Sequence, residues 1–109
     1  MQCPKCATET LSPWPVQTIE VDRCTTCGGV WCDDQELPLL LRVSSQELKP
    51  LQKGPERDDL DTKRGVCPRD ATPLIRVFSA QNSSVVVDAC SQCRGVWLDG
   101  GELSRLLQT

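Results

Sequence analysis

Cysteines are the residues of this chain whose type and spacing could do chemistry, and there are eight of them in 109 residues. Two C-x-x-C pairs lie near the amino terminus, with 17 residues between them. Tetrahedral zinc takes four soft ligands at about 2.3 Å, and each pair can present two sulfurs from one tight turn. The spacing predicts a structural zinc site with these ligands: Cys3, Cys6, Cys24 and Cys27.

A second cysteine set has an aspartate in place of one cysteine. Cys67 and Asp70 precede Cys90 and Cys93, with 19 residues between the two pairs. A carboxylate oxygen is a regular zinc ligand at about 2.0–2.2 Å, so we expect Asp70 to complete a second zinc site. Two alternatives stay open, which are a water molecule in the fourth position and a metal-free site held by packing. At the first site, four thiolates would accept iron as well as zinc.

Cys32 lies outside both ligand sets. We interpret it as a small buried hydrophobic residue, because free cysteine commonly packs in that way. A redox-reactive thiol would need exposure and nearby positive charge, whereas its neighbours are Asp33 and Asp34.

The chain is a tandem duplication. A shift of 66 positions aligns residues 24–41 with residues 90–107, with 10 identities in 18 positions. Upstream, Cys3-Pro-Lys-Cys6 aligns with Cys67-Pro-Arg-Asp70 at a shift of 64. The sequence therefore predicts two copies, residues 1–44 and 66–109. Residues 45–65 form the join, whose nearly balanced charges at 56–61 favour a solvated linker.

Each copy predicts a short β-ribbon followed by a helix. β-branched residues flank a turn signal in the spacers, with Leu74 to Phe78 and Val85 to Val87 in copy two. The Gly-Val-Trp sequence that follows predicts a third strand. The Asp-x-x-Glu motif after it predicts the capped start of a helix. In copy one, Pro38 could shift the start of this helix to Pro38 itself. The expected fold class is a small metal-stabilised α+β fold with two tandem zinc ribbons, each with a trailing amphipathic helix.

The apolar side chains of the ribbons and helices suggest both a core and a partner surface. We expect Trp31 and Trp97 to pack each ribbon onto its own helix. Trp14, between two prolines, is either a stiff exposed aromatic typical of partner hot spots or a cover for the ribbon. The leucine stripes either join the two copies through their helices or form a homodimer. The partner-binding candidates are Trp14, Leu40, Leu41, Leu106 and Leu107.

Composition narrows the class of protein. Hydrophobic residues make up 39% of the chain and aromatic residues only 4%, so a core alone is thin and metal should add stability. There is no apolar run long enough for a membrane span and no signal-peptide pattern, which predicts a cytoplasmic location with reduced thiols. The net charge of −3 disfavours binding to phosphate backbones.

The motif C-P-x-C with C-x-x-C-x-G-V-W-x-D-x-x-E-L resembles the bacterial zinc-ribbon family named for its likeness to the ribbon of transcription factor IIB. The resemblance covers residues 1–41 and 67–107. It implies zinc ribbons with trailing helices, bound zinc and usually no assigned biochemical activity. Seven cysteines match the ligand positions of the family, and Asp70 departs from them.

Three functions are compatible with these features. The first is a non-catalytic adaptor that binds an unidentified protein, because the chain is acidic and contains no His for a catalytic group. The second is a nucleic-acid or transcription-machinery factor, for which the cations are scattered: Lys5, Arg23, Arg69, Arg76 and Arg94. The third is a zinc- or redox-responsive regulator that uses the unequal second site.

Overall fold

The computed structural model describes residues 1–6, 9–44, 46–52, 59, 62–79 and 83–107. Copy one contributes β1 (Ser12–Val16), β2 (Ile19–Arg23), β3 (Val30–Cys32) and helix α1 (Glu36–Leu40). The join contains helix α2 (Lys49–Gln52). Copy two contributes β4 (Ile75–Phe78), β5 (Val86–Ala89), β6 (Val96–Leu98) and helix α3 (Glu102–Leu107). The α+β class with two ribbons is confirmed.

All six strands form one antiparallel sheet in the order β1-β2-β3-β6-β5-β4. The two copies meet where β3 pairs with β6, with Trp31 opposite Trp97 at the centre. The same three-stranded ribbon therefore lies on each side of an approximate two-fold axis. The expected docking through the helices is only part of this junction, because the buried leucines of both helices share one core. Strand pairing also joins the copies and satisfies the backbone at the open edge of each ribbon.

The sheet has a helix face and a metal face. Cys32 and Leu98 belong to a core with the helices, whereas Trp31 and Trp97 belong to a second cluster with the cysteine ligands. Successive residues of a strand point to opposite faces, so neighbours in β3 and β6 separate in this way. The expectation that the tryptophans pack onto the helices is therefore wrong. The interpretation of Cys32 as a buried apolar residue agrees with its complete burial.

The helix face is covered by both copies and by the join. Leu37 and Leu103 are buried there together with Leu48 and Leu51 from the join. A wholly solvated linker is therefore a wrong description of residues 46–52. The charged run at 56–61 lies, apart from Asp59, outside the described residues, and the copy boundaries themselves stay a prediction.

The turns before α1 and α3 have the same hydrogen bonds. Glu36 and Glu102 accept hydrogen bonds from the backbone N–H of Asp33 and Asp99 at 2.8 and 2.6 Å, as a capping box requires. The aspartate carboxylates, however, accept the indole N–H of the tryptophans two residues earlier, at 3.0 and 2.9 Å. Helix α1 begins at Glu36 and not at Pro38. No helix in the described part of the chain is long and apolar enough to cross a membrane.

Candidate metal centres

The first predicted ligand set converges on one point at the metal face. The four sulfur atoms of Cys3, Cys6, Cys24 and Cys27 lie within 4.8 Å of one another, and the Sγ atoms of Cys3 and Cys27 are 3.8 Å apart. Four ligands at about 2.3 Å from a tetrahedral zinc ion would have their sulfurs about 3.8 Å apart. The residues therefore fit a structural zinc ion.

Tight turns bring each cysteine pair to this point. The N–H of Cys6 donates to the Sγ of Cys3 at 3.2 Å, and the N–H of Cys27 donates to the Sγ of Cys24 at 3.5 Å. Gly28 closes the second turn with an N–H bond to the carbonyl of Cys24 at 2.8 Å and a φ of 77°. Each turn therefore presents the two sulfurs of its pair from one short segment.

The second set also converges, with Asp70 in the fourth position. The Sγ atoms of Cys67 and Cys93 are 3.6 Å apart, and both carboxylate oxygens of Asp70 lie 3.6 Å from the Sγ of Cys90. A sulfur and an oxygen ligand of one tetrahedral zinc ion would be separated by about 3.6 Å. The N–H of Thr72 fixes the carboxylate by a 3.0 Å hydrogen bond. These distances support Asp70 as the fourth ligand, and the two sites together fit two zinc ions.

The two sites differ in exposure. In the first site Cys3, Cys24 and Cys27 are buried and only Cys6 is half-buried. In the second site Cys93 is half-buried and Asp70 is exposed at the surface. Solvent therefore reaches the second site through its carboxylate side.

Burial and neighbouring thiols raise the pKa of several of the cysteines. Burial first and the neighbouring thiols second raise the pKa of Cys6 to about 11, and burial raises that of Cys67 to about 12. A hydrogen bond with Cys3, followed by burial, raises the pKa of Cys27. At Cys90 burial acts upward, but the amide donors of Cys93 and Gln92 outweigh it and the pKa is lowered. Metal binding must therefore displace protons at neutral pH.

The glycines that follow the second cysteine pair of each copy have two different structural roles. At this turn positive φ occurs at Gly28 in copy one and at Arg94 in copy two, whose φ is 65°. Gly29 and Gly95 instead leave room for tryptophan. A Cβ atom on either would lie 2.1 Å from Cζ2 of the tryptophan of the other copy. Each ribbon therefore needs its glycine to accommodate the other ribbon's ring.

Each copy has a cation within its C-P-x-(C/D) motif that binds a carboxylate of the other copy. Lys5, with a fully buried side chain, lies 3.1 Å from Asp88 and 3.2 Å from Asp99. At the equivalent position Arg69 binds Asp33, with its Nη2 2.6 Å from Oδ2. This bond to Arg69 is the main reason that the pKa of Asp33 is lowered, whereas burial raises the pKa of Asp99.

Sequence reasoning missed this exchange of cations between the copies. It took Lys5 and Arg69 for scattered surface charges. The repeat alignment contained a signal, since both cations occupy the same position of C-P-x-(C/D) and Asp33 aligns with Asp99. Only the pairing of β3 with β6 shows that each cation meets the carboxylate of the other copy.

The predicted partner-binding residues differ in their burial. Leu40 and Leu106 are buried in the core of the helix face and lie inside the protein, whereas Leu41 and Leu107 are half-buried at its margin. Trp14 is also half-buried, with the guanidinium of Arg23 5.7 Å from its ring centre. A partner role for these five residues stays a prediction, and burial removes Leu40 and Leu106 from any accessible surface.

Comparison with known protein families places the chain in a class. The profile described as transcription factor zinc-finger, of the transcription factor IIB zinc-ribbon type, matches residues 2–43 and again residues 66–109. The chain therefore belongs to this family and is a tandem copy of its zinc-binding unit. Comparisons with curated proteins and with solved structures find no match.

Proposed function

We propose that this zinc-binding protein is a non-catalytic adaptor that binds another protein in the cytoplasm. The binding surface is the groove between the strands of copy two and helix α1 of copy one, named the groove of copy two. The observation that carries the proposal is Phe78, the single phenylalanine of the chain, which is 70% exposed at the end of β4. It borders an apolar groove of about 340 Å³ that includes Leu37, Pro38, Val77 and Val96. A large aromatic side chain beside an open apolar groove is typical of a protein-binding surface.

Three of the twelve Lys and Arg side chains are held within the protein, which supports a protein partner over a nucleic acid. Lys5 is buried against two carboxylates, Arg69 is bound to Asp33, and Arg23 lies over Trp14. These engaged side chains do not form the basic surface that phosphate binding needs. Binding of zinc by thiolates makes the chain more acidic still, because seven thiolates outnumber the four charges of two divalent ions.

A photocrosslinking amino acid at position 78 of the zinc-loaded protein tests the proposal in the cells that produce it. The matched control has the same amino acid at Glu20, which is exposed on β2 of copy one. We expect a discrete protein adduct from position 78 that is absent from position 20. No protein adduct, or an adduct to nucleic acid, would overturn the proposal.

Binding to the transcription machinery is the second candidate, favoured by the description of the family. If the protein contacts nucleic acid directly, fluorescence anisotropy with random-sequence DNA and RNA will show binding that weakens steeply as salt rises. Absence of binding at low salt would leave only a protein component as partner.

The exposure of the second metal site favours a third candidate, a zinc- or redox-responsive regulator. Asp70 and Cys93 are open to solvent, so mild peroxide should remove zinc from this site before the buried first site. Native mass spectrometry during the peroxide treatment measures the loss of each zinc ion. Equal loss of both zinc ions would contradict that role.

A further inference from the structure

The approximate two-fold axis relates the apolar groove of copy two to a surface of copy one. Val77 pairs with Val87 in the way that Trp14 pairs with Val21, and Val96 occupies the position of Val30. By the same alignment Leu37 corresponds to Leu103 and Pro38 to Ser104. The valine and leucine at the base of the groove therefore recur at the second surface, where Trp14 and Ser104 replace Val77 and Pro38.

In copy one this surface is covered by the join. Leu48 and Leu51 are 0% and 2% exposed, and both belong to the core that contains Val21 and Leu103. Hydrogen bonds hold the two ends of the segment. The hydroxyl of Ser104 donates to Gln52 at 3.2 Å, and the side-chain amide of Gln17 donates to Glu47 at 3.2 Å. The occupant is thus a short helical segment, residues 46–52, with leucines three residues apart.

In copy two the equivalent surface is an open groove. Val30 is 1% exposed under the join, whereas its counterpart Val96 is only half-buried. Phe78 is exposed at the rim. Within the described residues, copy two has no segment that takes the place of residues 46–52.

The rim of the open groove carries negative charge. Asp34, which is exposed, and Asp33 line it on the side of α1. At the position that corresponds to Asp34, the surface covered by the join has Gly100 of copy two. An occupant of the second groove would therefore gain from a cation that meets Asp34.

We propose that the groove of copy two binds a short helix of a partner protein that carries two leucines three residues apart and a lysine or arginine beside them. The join supplies the template, because it shows which side chains an equivalent surface accepts. This inference rests on the proposed adaptor function and specifies the chemistry of the partner.

A peptide with the sequence of residues 44–54 is the probe, because it contains the two leucines and also Lys49 and Lys53. We expect the fluorescein-labelled peptide to bind the full zinc-loaded chain saturably in fluorescence anisotropy. Replacement of both leucines by serine should abolish binding. Phe78→Ser should weaken binding about tenfold, the usual effect of losing one buried aromatic contact. Ile75→Ser is the matched control, since Ile75 is 49% exposed on the same strand and lies outside the groove.

Three results would overturn the inference. The peptide could fail to bind at millimolar concentration, or it could bind equally well to Phe78→Ser. Sedimentation could instead show self-association that Phe78→Ser removes, which would make a second copy the occupant. If the peptide fails while position 78 still crosslinks to a protein, the inference is wrong and the adaptor function stands.

Discussion

Lys5 and Arg69 occupy equivalent positions in the two copies but stand in different electrostatic surroundings. The side chain of Lys5 is fully buried between Asp88 and Asp99, whereas the side chain of Arg69 is 47% exposed. Removal of one partner from a buried ion pair leaves an uncompensated charge, whereas a pair screened by solvent contributes little. The two cations should therefore differ strongly in their effect on stability.

Lys5→Ala should lower the free energy of unfolding by about 3–5 kcal/mol, because it leaves two buried carboxylates without their cation. Arg69→Ala should lower it by less than about 1 kcal/mol. Urea unfolding of the zinc-loaded variants, followed by circular dichroism, measures both. Equal effects of the two substitutions would show that Lys5 is not a buried structural charge.

Asp70 should decide how strongly the second site holds zinc. Asp70→Ala should weaken zinc binding at this site by at least about tenfold, since even the loss of an outer partner of a metal ligand costs 10–100-fold. Asp70→Cys should retain two zinc ions and slow their release, because it restores four thiolates. Native mass spectrometry during chelator challenge measures both. An unchanged site in Asp70→Ala would mean that water is the fourth ligand.

The numbers of thiols predict different pH dependences for the two sites. A thiol that is protonated when free must lose its proton to bind metal, so affinity falls as pH falls. The first site has four thiols and the second has three. We therefore expect the zinc affinity to fall more steeply with falling pH at the first site than at the second, where amide donors also lower the pKa of Cys90. Competition titrations of the site variants measure both slopes, and equal slopes would show that the number of thiols does not set the pH dependence.

The element that unites the molecule is the central strand pair, where each tryptophan packs over the glycine of the other copy. Trp31 lies over Gly95 and Trp97 over Gly29, and each indole is fixed by an aspartate on its own strand end. Overpacking of such a contact forces the rings to move. If the two ribbons share this junction, the addition of one methyl group at either glycine should lower the stability of the protein. Two independently folded ribbons would not show this effect.

Gly95→Ala should destabilise the protein by about 1–3 kcal/mol, because its Cβ would lie 2.1 Å from Cζ2 of Trp31. Arg94→Gly is the neighbouring control. Arg94 has a φ of 65°, which glycine adopts without strain, so this change should alter stability by less than about 1 kcal/mol. Thermal unfolding with tryptophan fluorescence measures both. If Gly95→Ala were harmless, the two ribbons would not share this junction.

At the scale of the whole molecule, one sheet makes the two metal centres interdependent. The cysteine ligands of both sites and both tryptophans belong to a single cluster on the metal face. Structural zinc supplies about 10–16 kcal/mol in small peptides, which is comparable to the stability of a domain. Loss of one zinc ion should therefore disturb the copy that still holds the other.

Cys24→Ser should remove zinc from the first site and unfold copy one, with the environment of Trp97 changed as well. Cys32→Ala is the control, because Cys32 is equally buried but lies on the helix face outside both ligand sets. It should keep two zinc ions per chain and lose only about 1–2 kcal/mol. Mass spectrometry and circular dichroism report the zinc content and the folding, and fluorescence in a background with Trp14→Phe and Trp31→Phe reports Trp97, the remaining tryptophan. A native melting curve for Cys24→Ser would refute the role of metal in the core.

Sequence by itself determined the ligand sets, the duplication and the ribbon-plus-helix plan of each copy. These features depend on spacings of a few residues and on a repeat, both of which are visible without knowledge of distant contacts. The same local logic correctly predicted that Glu36 and Glu102 reach back to the turns before their helices.

Only the tertiary structure decided how the two copies combine. The pairing of β3 with β6 joins residues 66 positions apart in the repeat, and no local spacing specifies which edges meet. That pairing places the tryptophans on the metal face, brings Lys5 to Asp99 and leaves the copy-two groove without the cover that the join gives copy one. The physical reason is that burial and ion pairing depend on long-range neighbours, which the chain acquires only when the two ribbons form one sheet.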